Sequence, residues 1–352
     1  MQRRYPLTRR LSMLVTATLL ALTGCGLLGP EDDAPKGAGT KGLFILCEGA
    51  FGSSTASLWQ INNDFLSPSA NVVQNLTGNP LGDTGQSLYF DDQTLYVVLN
   101  GSGTIEVLDL SGAAPAFVTS IDVSGASPRE MTALGSTGYV TAWGIPGILV
   151  IDLATFAITD TFAVDGLPED IIIVNGQLIV AVPLNSDYSA SDRVLAIDPA
   201  SGQIAQTYAA GTGPQQLLYR NGDLLVSRQW FDAAFTSYRG ISRINISTGE
   251  VTIRDWGTGG GVDIFESGSS LYVATLEGVV PVGADLSLRS IERIDGSLLV
   301  TYSAASDGNN IFIGSYGDFS SPGAVTVYSS AGAKVADFAV GIGPGSFAFA
   351  GP

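Results

Sequence analysis

The chain of 352 residues contains no histidine. Serine–histidine–carboxylate and cysteine–histidine catalysis are therefore excluded, and so are imidazole proton shuttles and nearly all common zinc sites. Chemistry must come from carboxylates, tyrosines, arginines, amides or a bound cofactor. Short pairs stand immediately before apolar runs: Gln86-Ser87, Arg129-Glu130, Glu169-Asp170, Gln215-Gln216 and Gly345-Ser346. Glu130, Glu169 and Asp170 could together serve acid–base catalysis or hold a metal, although carboxylates at turns before strands are commonly solvated. Aromatic residues fall in segments rich in turn formers, where burial is hard to arrange: Phe51, Trp143, Tyr188, Trp230, Phe231, Phe235, Tyr238, Tyr316 and Phe319. Rigid rings beside a few hydrogen-bonding groups describe a ligand-binding surface more than a catalytic one. Gly257 to Gly261 is glycine-rich, but no helix follows to make it a phosphate cradle. Ser306 to Asn310 carries oxygen ligands suited to calcium, yet a hairpin turn demands the same residues. Cys47 lies in an apolar run and reads as a small buried hydrophobe.

The elements that position these residues repeat. Short apolar strands begin at Leu43, Leu95, Gly138, Leu178, Leu224, Leu271 and Ile311, each followed after a variable loop by a second strand that usually closes on an acidic turn. A unit of about 40 to 45 residues built of short strands, without helical periodicity, is the sign of a propeller blade. The expected fold is all-β, a seven-bladed β-propeller spanning 41–352. Gly341-Ile342-Gly343-Pro344 near the end reads like Gly211-Thr212-Gly213-Pro214, which opens a blade, whereas the first unit lacks an opening strand. The C-terminal strand is thus expected to complete the N-terminal blade, leaving only short protected edges. In such a ring the short pairs would surround one axial opening. The loops at Glu48 to Thr55, Trp143 to Pro146, Pro183 to Asp192, Gln229 to Arg239 and Tyr316 to Pro322 would lie on the same face.

Charge narrows the partners. Thirty-three acidic residues face sixteen basic ones, four of which are Arg3, Arg4, Arg9 and Arg10. A surface this negative repels nucleic acid and anionic lipid. Those four arginines precede the apolar run Leu11 to Leu22, then Leu22-Thr23-Gly24-Cys25. A basic start, a short greasy stretch and small residues before a cut site form a secretory signal, expected over 1–24. The pattern resembles the lipobox of bacterial lipoproteins, which implies lipidation of Cys25. The glycine-, proline- and charge-rich 25–40 segment cannot form a core and is expected to be a flexible tether.

Several stretches resemble a known family: Glu48-Gly49-Ala50-Phe51-Gly52, Leu81 to Ser87, Leu95 to Asp109, Ser127-Pro128-Arg129 and Gly138 to Asp152. They are similar to YVTN-type seven-bladed propeller lipoproteins of the Bacteroidetes type, a group that includes cobalamin-capturing surface lipoproteins. The resemblance implies a monomeric, lipid-anchored protein of the cell envelope, placed at the outer membrane and exposed at the surface. It would hold a small molecule, a corrinoid as first choice, on one axial face for an outer-membrane transporter. The amide and arginine groups of Gln86, Arg129, Gln215 and Gln216 would meet the corrinoid's amides, without a cofactor or metal of the protein's own. Two other readings stand beside this one: an envelope interaction scaffold, and a cofactor- or metal-dependent propeller enzyme.

Overall fold

Each repeat folds into a four-stranded antiparallel sheet, and seven such sheets account for the strands of the described chain. The computed structural model describes residues 42–62, 65, 68–295 and 300–350. The leader, Cys25 and the tether lie outside these residues. The apolar strands found in the sequence are the second strand of each blade, from Gly42–Cys47 in the first to Asn310–Tyr316 in the seventh. They are buried almost throughout, since both faces pack on neighbouring blades, and so they read as unbroken apolar runs. Outermost strands such as Ala157–Ala163 are largely exposed and carry polar residues.

The core is divided among the blade interfaces. Seven apolar clusters are found among the described residues, one between each pair of adjacent blades. The last joins Phe312, Val325 and Val327 of the seventh blade to Leu43, Ile45 and Ile61 of the first. The ring therefore closes. Its seam is covalently discontinuous: Gly42–Cys47 pairs with Ser57–Ile61 on one side and with Pro344–Ala350 on the other, Gly42 opposite Ala350. Backbone hydrogen bonds from Glu48 N to Gly343 O at 2.8 Å and Gly49 N to Ile342 O at 3.0 Å extend that seam.

The sequence showed no helix, but one turn and a half forms at Val72–Thr77. The outermost strand of the first blade is only Pro68–Ser69, and Val72 and Val73 are buried with Leu58, Leu81 and Leu95 beside it. Six residues are too few to display a helical period. The acidic turns after third strands are structural. Asp109 Oδ1 accepts the Ser111 N–H at 2.7 Å, Asp152 Oδ1 accepts those of Ala154 and Thr155, and Asp198 Oδ1 those of Ala200 and Ser201. Part of the chain's negative charge is thus explained by turns in which a carboxylate caps the backbone.

Candidate functional site

The innermost strands begin with a shared pattern. A turn residue is followed by one residue that faces the axis, then by a small or polar residue, then by an apolar one. The axial positions are Gly345, Gln86, Arg129, Glu169, Gln215, Val262 and Tyr302, all on the lining of a cavity of about 710 Å³. The next residues tie blade to blade. Asp170 Oδ2 accepts the Leu217 N–H at 2.6 Å, Gln216 Oε1 accepts Ile264 N–H at 2.6 Å, and Asp263 Oδ2 accepts Ala304 N–H at 3.1 Å. Ser346 Oγ accepts Leu88 N–H at 3.1 Å, while Ser87 Oγ donates to Arg129 O at 2.7 Å and Ser303 Oγ to Pro344 O at 2.5 Å. The junction between the third and fourth blades is made differently. There Thr141 Oγ1 donates to Glu169 O at 2.5 Å, and Glu130, which occupies the bridging position, presents its carboxylate to the cavity.

One cation organises the lining. Arg129 donates from Nε to Glu169 Oε2 at 2.9 Å and from Nη2 to Glu169 Oε1 at 2.5 Å, a bidentate pair, and from Nη1 to Gln86 Oε1 at 2.7 Å. Its guanidinium lies over the Trp143 ring, 4.6 Å from the centroid, and Trp143 Nε1 donates to Pro168 O at 2.8 Å. Burial works against the Arg129 charge, but Glu169, Glu130 and Glu48 outweigh it and hold the group firmly protonated. Across the cavity, the Tyr302 hydroxyl donates to Glu48 Oε1, and the Tyr302 ring meets Tyr316 and Phe319 edge-on at 5.3 and 5.2 Å.

The remaining carboxylates are held above their usual range. Burial lifts Asp263 to about 7, and it lifts Asp170 to about 6 despite two backbone N–H donors. Glu130 is raised well above a normal glutamate, first by burial and then by the charges of Asp170 and Glu169. Burial also raises Glu48, opposed by the Tyr302 hydroxyl and Arg129. Among the described residues no three His, Cys, Asp or Glu side chains converge closely enough to hold a metal ion.

The sequence-based candidates divide into two groups. Gln86, Arg129, Glu130, Glu169, Asp170, Gln215, Gln216 and Tyr316 all line the cavity, and Trp143 supports Arg129 from behind. Phe51, Tyr188, Trp230, Phe231 and Tyr238 do not reach the lining. Tyr188 caps a tight turn, its N–H bonded to Asn185 O at 2.9 Å, and is 71% exposed; Phe51 is 90% exposed. Trp230 and Tyr238 face each other across a long hairpin and stack at 5.8 Å, with the Arg228 guanidinium 5.1 Å from the Trp230 ring centroid. Trp230 and Tyr238 thus satisfy each other locally, whereas Phe51, Tyr188 and Phe231 lie open to solvent.

Glu48, Asp263 and Tyr302 line the cavity and are absent from the sequence-based set. A signal existed for two of them. Asp263 and Tyr302 stand before apolar residues at the same offset as Asp170 and Glu169, but the glycine run before Asp263 and the lack of a Pro or Gly immediately before Tyr302 conceal the two blade openings.

A ring of seven four-stranded sheets around a polar, acid-rich axial cavity defines a seven-bladed β-propeller with one candidate ligand site. The chain belongs to the family described as Domain of unknown function (DUF5074), whose model matches residues 41–231. No curated protein matches its sequence. Solved structures similar to it include a protein from Lactobacillus plantarum at 14% identity and a TM-score of 0.63, covering 89% of this chain and 100% of that one. A functionally unknown protein from Desulfotomaculum acetoxidans is similar at 15% identity and a TM-score of 0.61, covering 89% and 100%. The dihydro-haem d1 dehydrogenase NirN is similar at 12% identity and a TM-score of 0.55, covering 88% and 75%. At such identities the likeness is one of fold.

Proposed function

We propose that this protein is a non-catalytic binding propeller of the bacterial cell envelope, anchored through a lipid on Cys25, that captures a small organic molecule at its axial cavity and hands it to an outer-membrane transporter. The observation that carries the reading is the preorganised lining. Arg129, Glu169 and Gln86 are fixed by one another around a cavity of about 710 Å³, a volume of the size small-molecule sites take. Preorganised polar groups lose little entropy on binding. A corrinoid is the occupant suggested by the resemblance to cobalamin-capturing lipoproteins, and the amides of Gln86, Gln215 and Gln216 are suited to its amide fringe. The scaffold reading would call for a contiguous apolar patch on the rim. The enzyme reading would call for a cofactor-holding ligand set.

A thermal-shift screen of the full chain across cobalamins, haem, sugars and organic amines tests this proposal. A rise in melting temperature with at least one of them is expected. Arg129→Ala should abolish that rise and cost about 3 kcal/mol of stability, because it leaves Glu169 buried without its partner. Flat melting curves at saturating ligand throughout the screen would overturn capture and favour the scaffold.

A further inference from the structure

The charge of the lining is unbalanced. Among the described lining residues Arg129 is the sole cation, set against Glu48, Glu130, Glu169, Asp170 and Asp263. Arg129 is committed to Glu169 and Gln86, so the other four carboxylates share no second positive partner on the lining. Acidic residues alone would not make a site, but two further features point to an occupant. Thr301 lines the cavity, is 2% exposed, and its hydroxyl has no hydrogen-bond partner among the described residues. Tyr302 and Tyr316 give the lining an aromatic wall, and ring faces attract cations.

The spacing of the acids selects the kind of cation. Glu48 belongs to the first blade, Glu130 to the third, Asp170 to the fourth and Asp263 to the sixth. No three of them gather as metal ligands do among the described residues. Acceptors spread around a ring suit positive charges spread along a chain, each bearing N–H donors. We propose that the axial cavity binds an aliphatic polyamine, its ammonium groups held by Glu130, Asp170 and Asp263 and its methylene chain lying against Tyr302 and Tyr316. This rests on the cavity being the ligand site and replaces the corrinoid as its occupant. Asp170 and Asp263 each give one or two oxygen lone pairs to backbone N–H groups, whereas the Glu130 carboxylate meets the Ser87 hydroxyl of the neighbouring blade and, among the described residues, accepts no backbone N–H. Glu130 is therefore the principal anchor. The excess of acidic over basic residues across the chain would steer such a ligand inward.

The test is titration calorimetry of the full chain with spermidine at about 0.15 M salt, where exposed charges are largely screened. Saturable one-site binding is expected. The E130Q/D263N double variant keeps acceptor oxygens while removing charge, and should weaken binding about tenfold or more. Gln215→Lys, which places a competing cation on the lining at a residue that bridges no strands, should do the same and stands in if the double variant fails to fold. Absence of saturable binding overturns the proposal, as does an affinity unchanged in the variants, which would mean attraction to the outer surface. Cyanocobalamin is titrated in parallel. Binding of cyanocobalamin without spermidine removes the polyamine and leaves capture standing, whereas binding of neither removes the polyamine and the corrinoid alike and leaves capture to be decided by the thermal-shift screen.

Discussion

Asp263 and Asp170 make the protein sensitive to pH in a direction opposite to that of a surface carboxylate. Asp109 and Asp152 are lowered by backbone N–H bonds, so the stability they contribute is present at neutral pH and lost only in acid. Burial raises Asp263 to about 7 and Asp170 to about 6, so the folded state holds protons that the unfolded chain releases near pH 4. Their contribution is complete below the unfolded value and is lost as pH rises through about 6 and 7. The melting temperature of the unliganded protein should therefore climb as the pH is lowered from about 8 to about 5. Asp263→Asn should flatten part of that slope in melts followed by circular dichroism, and a slope of the opposite sign would show that these carboxylates are not buried as described. A bound polyamine would favour their charged forms, so spermidine should shrink the slope as well.

At the scale of the strand, the sequence revealed the site in proportion to how strictly each position obeys a rule. The second strands were legible because a strand buried on both faces leaves a continuous apolar run. Arg129, Glu169 and the glutamine pairs were legible because Pro or Gly marks the blade opening just before them. The aromatic hairpins were not, since a ring on a turn looks alike whether it meets a ligand or, as Trp230 meets Tyr238, its own cross-strand neighbour. The bridging bonds were hidden too, because they join residues more than forty positions apart, as Asp170 joins Leu217. One backbone feature holds these openings in place. Gly213 has φ +69°, and an added Cβ would stand 1.9 Å from Gln229 O, next to the Gln215 and Gln216 entry. Gly213→Ala should destabilise the protein by about 2 kcal/mol or more in denaturant unfolding. An effect within error would mean that this entry relaxes freely.

For the whole molecule, integrity depends on the seam where the last strand meets the first. Cys47 reports on it directly. Its thiol is fully buried, and burial pushes its pKa up to about 12, leaving almost no thiolate to react at neutral pH. In a Cys25→Ser background the native chain should resist a thiol-specific reagent. Deleting 344–352 should make Cys47 react rapidly, because the strand that covers it is gone, and continued protection in the truncated chain would show that the first blade holds without its C-terminal partner.

The geometry of that seam has a mechanical consequence. Gly42 and Ala350 sit opposite each other at the same end of an antiparallel pair. A force drawing these two residues apart would load the hydrogen bonds one after another, as in opening a zip, rather than all together in shear.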